Sequence, residues 1–321
     1  MAADVRPVHP FTNHCHHSPS QPLHSADTNH RKGLLITAIG GLALTVDIPL
    51  IRLAEGDPWP ILMLRTGTTV LAAIVIWAIW RAFTPSAPSL VPGKLGAVVA
   101  MFYGLGSITF ILAVYNTSTA NVVFILAFTT MFAALLSWVF LGERPRPVTL
   151  VTMAVMIVGV LIIVFDGIGT GNITGDFFAL CSALTIASAI TVSRRSNRDM
   201  GFTALIGVIF PFVIAAFVVA ETGYRIDQPW WIIFNGAIVM PISFFCLANG
   251  PRYLSSAEVA MFYLLETVFA PVWVWLIFSE APSRNALIGG SILIVALVAH
   301  SLWQLADGRK RRAATTVRHP V

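Results

Sequence analysis

Residues 119–143 read TANVVFILAFTTMFAALLSWVFLGE, and residues 256–280 read SAEVAMFYLLETVFAPVWVWLIFSE. The two stretches align without a gap. Ala120 falls on Ala257, Val122 on Val259, Thr130 on Thr267, Phe132 on Phe269, Ala133 on Ala270, Trp138 on Trp275 and Glu143 on Glu280. Unrelated apolar helices share scattered Leu or Val, whereas a shared Trp and a shared terminal Glu point to duplication of a larger unit.

The surrounding chain shows what that unit is. Of 321 residues, 56% are hydrophobic and 11% charged, against about 25% charged in soluble domains. The apolar residues fall into ten blocks, at about 33–53, 60–80, 95–115, 118–141, 148–166, 175–193, 202–220, 230–249, 256–279 and 285–304. Each is long enough to cross about 30 Å of hydrocarbon as a helix. The duplicated stretches are the fourth and ninth blocks. Equivalent helices are thus five apart, an odd number, and the two copies enter the membrane from opposite sides. The expected fold is an all-α membrane protein of ten transmembrane helices in a 5+5 inverted-topology repeat, with halves at 31–166 and 167–305. Such repeats place a solute site near the midplane between the halves. Gly40, Pro49, Gly104, Pro211, Pro241 and Pro271 inside the blocks are tolerable in a bundle and permit bends.

Lys and Arg in short loops favour the cytoplasm. With a cytoplasmic N-terminus, that side collects Arg31, Lys32, Arg81, Lys94, Arg144, Arg146, Arg194, Arg195, Arg198 and Arg252. The opposite side receives Arg52, Arg225 and Arg284 beside Glu55, Asp57, Asp166, Asp176, Glu221 and Asp227. A multi-pass protein of the cell (inner) membrane with both termini cytoplasmic is expected. Residues 1–30, rich in His and Pro, read as a disordered tail, although His14, Cys15, His16 and His17 offer metal-ligand chemistry. The basic tail at 306–321, with Arg309, Lys310, Arg311 and Arg312, reads as an anchor to anionic lipid rather than a nucleic-acid patch. Cys15, Cys181 and Cys246 have neither disulfide nor zinc spacing. No GxSxG, HExxH, Walker A or dinucleotide fingerprint is present, so neither an enzyme nor a cofactor is indicated.

At this level the chain resembles the EamA family of the drug/metabolite transporter superfamily. The likeness rests on the helix endings Leu141-Gly142-Glu143 and Phe278-Ser279-Glu280, and on Leu265-Glu266-Thr267-Val268-Phe269-Ala270-Pro271. It also rests on Val46-Asp47-Ile48-Pro49-Leu50-Ile51-Arg52-Leu53 and on Arg65. The second ending departs from Gly-Glu, and Thr267 stands where Pro is frequent. The resemblance covers about 33–304 and implies export of amino acids, related metabolites or drug-like compounds, without specifying the substrate.

Ionisable groups inside hydrocarbon mark pathways or ion coupling by default. Asp47, Arg65, Glu258 and Glu266 qualify. Glu266 lies closest to mid-depth and is either a proton-exchanging group or a neutral hydrogen-bonding one. Tyr263 shares its face and Thr267 adjoins it, and its repeat equivalent is Thr129, as Asn121 is that of Glu258. Asp47 and Arg65 fall at similar depth on adjacent helices. They form either a static bridge, an outer gate, or a clamp in which Arg65 meets a substrate carboxylate. Tyr103 and Asn235 are further candidates for the solute pathway. The expectation is secondary active export of a small amino-acid-like or amphiphilic solute by alternating access, with protons as the candidate coupling ion. An uncoupled exchanger is the alternative within transport, and a receptor or a lipid-acting enzyme the alternative outside it.

Overall fold

The computed structural model describes residues 23–84, 88–142, 147–170, 173–254, 256–279 and 282–317. The chain folds into α1 (Leu23–Leu44), α2 (Asp47–Leu53), α3 (Pro58–Phe83), α4 (Gly93–Asn116), α5 (Thr119–Leu126), α6 (Thr129–Leu141) and α7 (Pro147–Thr170). There follow α8 (Ile173–Ser196), α9 (Gly201–Gly207), α10 (Ile209–Thr222), α11 (Pro229–Phe234), α12 (Met240–Asn249), α13 (Ser256–Phe278) and α14 (Arg284–Val317). Among the described residues no strand occurs, and the one β-type contact is an isolated antiparallel bridge between Gly56 and Ile226.

Proline explains three of the interruptions. It lacks an N–H and cannot reach the carbonyl four residues earlier. Pro49 frees the Thr45 carbonyl, and the helix breaks at Thr45–Val46, between α1 and α2. Pro211 frees that of Gly207, and α9 gives way to α10 at Val208. Ahead of Pro241, residues Asn235–Val239 widen into a π-helix between α11 and α12. The break at Ala127–Phe128, between α5 and α6, has no such proline.

Eight stretches among the described residues are long and apolar enough to span a membrane, including Arg31–Leu53 across the first break and Thr119–Leu141 across the last. Pro147–Gly159 and Arg284–His300 are shorter apolar runs, so this measure yields fewer spans than the ten blocks expected. Outward faces are apolar: Val139 is 71% exposed, Phe217 73% and Val295 68%, a surface that water would not tolerate but lipid does. Helix extends into both tail regions where the structure describes them. The backbone of α1 starts at Leu23 and that of α14 runs to Val317, because polar residues extend a helix whose costly first turn already exists. Residues 1–22, with the His-Cys run, and Glu143 and Glu280 lie outside the described residues.

Helices pair across the chain. α3 packs on α10, α7 on α14, and α5 and α6 on α13, while α4 packs on α8 and α1 on α12. The C-caps Gly142 and Ser279, equivalent in the repeat, both turn left-handed, with φ of 73° and 57°. The second carries strain because Ser has a Cβ. Small residues bring backbones together where helices cross. Gly104 meets Gly207, and a Cβ on Gly207 would strike the Ala100 carbonyl and lie 2.7 Å from its Cα. Backbone cannot step aside as a side chain can. Gly207→Ala is therefore expected to destabilise the bundle by about 1–3 kcal/mol, measured as a lowered thermal unfolding midpoint in detergent.

Candidate functional site

The breaks caused by Pro49 and Pro241 position the central polar cluster. Asp47 opens α2 just past the first break, and Asn235 opens the π-helix. Gly236 lets that π-helix press onto α3, since a Cβ there would collide with the Arg65 carbonyl and the Thr68 hydroxyl. Arg65, Asp47 and Asn235 thereby meet, all buried.

Their hydrogen bonds form a closed set. Arg65 Nη2 donates to Asp47 Oδ2 at 2.7 Å and Nε to Asp47 Oδ1 at 3.3 Å. The Asn235 amide spans the pair: its Nδ2 donates to Asp47 Oδ1 at 2.7 Å and its Oδ1 accepts from Arg65 Nε at 3.2 Å. Arg65 Nη1 donates to Ser107 Oγ at 3.2 Å, and Nη2 lies 2.8 Å from the Met240 sulfur. The guanidinium also stands 5.7 Å from the Phe110 ring centre, within cation–π range. Most of the five guanidinium N–H groups are thus engaged by protein, which disfavours the clamp among the three readings of Arg65.

A cavity opens beside this cluster, with Asp47, Arg65, Tyr103, Thr129, Tyr263 and Glu266 in its lining. Glu266 is 4% exposed, and its Oε1 has no hydrogen-bond partner among the described residues. It lies within electrostatic range of both Asp47 and Arg65. The Tyr103 and Tyr263 hydroxyls come within range of each other without a hydrogen bond of good geometry. Two pairs of positions aligned between the similar stretches face this one space: Leu126 and Tyr263, Thr129 and Glu266.

Other candidates lie elsewhere. Thr267 donates to the Val123 carbonyl at 3.0 Å and ties α13 to α5 instead of lining the cavity. Asn235 stands behind the lining as a brace for the ion pair. Asn121 is also absent from the lining: its Nδ2 donates to Thr117 Oγ1 and to Asp176 Oδ1, each at 3.3 Å, while Thr117 donates to Asp176 Oδ1 at 2.8 Å. Asp176, read from sequence as an outer-side charge at the start of the sixth block, is a 3% exposed residue in the first turn of α8. No helical spacing announces this cluster, because Thr117 is the extended residue that ends α4 and Asn121 reaches back to it from the first turn of α5. Glu258 is partly exposed in the first turn of α13.

An all-helical bundle with lipid-suited faces and a buried, charged cavity at its helix breaks is the build of a multi-pass membrane transporter. The family model described as the EamA-like transporter family matches residues 31–165 and again 173–302. The chain belongs to that family, and is a transporter rather than an enzyme. It is similar to an uncharacterized transporter of Clostridium kluyveri, 22% identical over 237 residues, covering 69% of this chain and 76% of that one. It is also similar to the pseudopaline exporter CntI of Pseudomonas aeruginosa, 23% identical over 222 residues, covering 66% and 74%. A solved crystal structure shares the fold, with a TM-score of 0.61 at 15% identity over 88% of this chain and 99% of that chain.

Removing one member of a buried pair leaves the other charge uncompensated, at a cost of about 3–5 kcal/mol, whereas replacing both is far milder. Arg65→Met alone is therefore expected to destabilise strongly, and Asp47→Leu combined with Arg65→Met to recover most of the loss. A double-mutant cycle on thermal unfolding measures the coupling.

Proposed function

We propose that this protein is a secondary transporter that exports a small amino-acid-like or amphiphilic solute by alternating access between two inverted five-helix halves, 31–166 and 167–305. The observation that carries the reading is the cavity itself, walled by repeat-related positions of both halves. Two copies threaded oppositely around one pocket admit two mirror-related arrangements, each opening the pocket to one side. The double family match and the helix pairings, in which α3 meets α10 and α7 meets α14, support the repeat. The exporter name carried by a relative supports the direction of transport. The loop charges support an inner-membrane placement with both termini cytoplasmic.

In this reading Glu266 exchanges the coupling proton. Asp47 already has Arg65 as counter-charge, while Glu266, a residue of the cavity lining, has no hydrogen-bond partner for its Oε1 among the described residues. Around it stand Asp47, Arg65 and the two tyrosines, so protonation would alter both the charge and the hydrogen-bonding capacity of the pocket wall. Asp47 and Arg65 act as the brace joining α2, α3, α4 and the π-helix, and the solute occupies the space between Tyr103, Thr129, Tyr263 and Glu266.

The test separates coupling from transport. Purified protein in proteoliposomes, screened against amino acids and organic cations for a transported solute, should accumulate it above equilibrium under an imposed pH gradient. Glu266→Gln should abolish that accumulation while leaving counterflow without a gradient within a few-fold of the parent. Equal accumulation by both proteins would remove Glu266 from the coupling, and absence of counterflow for every solute tried would count against transport through this cavity.

A further inference from the structure

Four of the nine methionines gather at one place. Met131 on α6, Met153 and Met156 on α7, and Met261 on α13 line a small cleft together with His300 on α14. This cleft shares no lining residue with the cavity around Glu266. Met131, Met153, Met156 and His300 are each no more than 8% exposed.

Methionine often serves as adaptable filler in cores. Here, however, the side chains border open space, come from four helices, and share it with a buried imidazole. No Asp, Glu or Cys stands among the described lining residues, so the cleft offers nothing to a hard cation such as Mg²⁺ or Ca²⁺. Thioether sulfur with imidazole nitrogen is the donor set of a soft monovalent ion.

The imidazole is held in the form such an ion requires. Thr152 Oγ1 donates its one proton to the Val148 carbonyl at 2.9 Å. Its 3.3 Å contact with His300 Nδ1 must therefore be the ring's Nδ1–H donating to the hydroxyl oxygen. In the neutral ring this leaves the lone pair on Nε2, and a hydrogen bond to the other nitrogen is the usual way a protein orients a histidine ligand. Thr130 in turn approaches the Met156 sulfur at 3.8 Å. Trp303 stacks on the His300 ring at 6.0 Å between centroids, further restricting its rotation.

We propose that this cleft binds one soft monovalent metal ion of the Cu(I) or Ag(I) type. The ligands are three or four of the Met131, Met153, Met156 and Met261 thioethers and His300 Nε2. The ion joins α6 and α7 to α13 and α14, and so links the two segments that the family model matches separately. It reports on helix packing and is independent of the solute and of Glu266.

Ag(I), which needs no reductant, is the probe. The full-length chain carries a competing donor set at His14, Cys15, His16 and His17, so the parent for all measurements has these four replaced by Ser. Titration in detergent is expected to show one Ag(I) retained per chain with a raised unfolding temperature, and no comparable retention of Zn(II). Met153→Leu with Met156→Leu preserves volume and should weaken Ag(I) binding at least about tenfold, as should His300→Gln. X-ray absorption of the Ag(I)-loaded parent should show both sulfur and nitrogen neighbours, and it decides the matter if the Leu variant fails to fold. No retained ion, unchanged affinity in a folded Leu variant, equal retention of Zn(II), or a spectrum without sulfur neighbours would each overturn the proposal.

Discussion

A carboxylate and a guanidinium placed inside hydrocarbon cost several kcal/mol each unless their charges and lone pairs are met. Asp47 and Arg65 are both nearly dry, and the surrounding architecture follows from satisfying them. Two helices are broken by proline to bring Asp47 and Asn235 to the same depth as Arg65. A glycine follows Asn235 because no side chain fits between the π-helix and the backbone of α3. Ser107 and the sulfur of Met240 close the remaining directions. The pair is consequently a joint between four helical segments, and any rearrangement of the bundle must either carry it as a unit or break it in lipid.

The two segments that the family model matches separately carry different chemistry at aligned positions. Where the second presents Tyr263 and Glu266, the first presents Leu126 and Thr129. Gly142 and Ser279 cap equivalent helices in the same left-handed conformation, although only the first can adopt it without strain. In the proposed inverted repeat, duplication supplies the frame and divergence of a few wall positions supplies the polarity of the pocket. Two arrangements related by such a frame need not be equal in free energy, because exchanging the halves exchanges a carboxyl for a hydroxyl.

What could be read from the sequence depended on range. The apolar blocks, and Glu266, Asp47 and Arg65 as ionisable groups inside them, were legible because each is a local property of the sequence. So was Pro49 as a site of bending, though not its consequence, the placement of Asp47. The role of Asn235 as a brace was hidden, since its partners lie 188 and 170 residues away. Asp176 was read as an outer-side charge, and its burial against Thr117 was hidden because that partner lies 59 residues away. Thr267 adjoins Glu266 but faces the backbone of α5, a difference of one position on a helix that only packing determines. The methionine cleft assembles from four helices, none of which carries a recognisable metal spacing.

The most hidden element is a set of backbone contacts at one end of the bundle. Asp57 N donates to the Arg225 carbonyl at 3.1 Å, Asp227 N to that of Glu55 at 3.0 Å, and Gln228 N to that of Ala54 at 2.9 Å. The loop after α2 is thereby laced to the loop before α11, with Tyr115 adding a hydrogen bond to the Gly56 carbonyl at 2.7 Å. Main-chain groups carry no residue identity, so no motif announces them. Each such bond contributes about 0.5–1.5 kcal/mol net, and three together match the few kcal/mol that separate interchangeable conformations. In the proposed cycle this strength suits a closure: enough to hold one mouth shut, and little enough that solute or proton binding at the pocket can offset it.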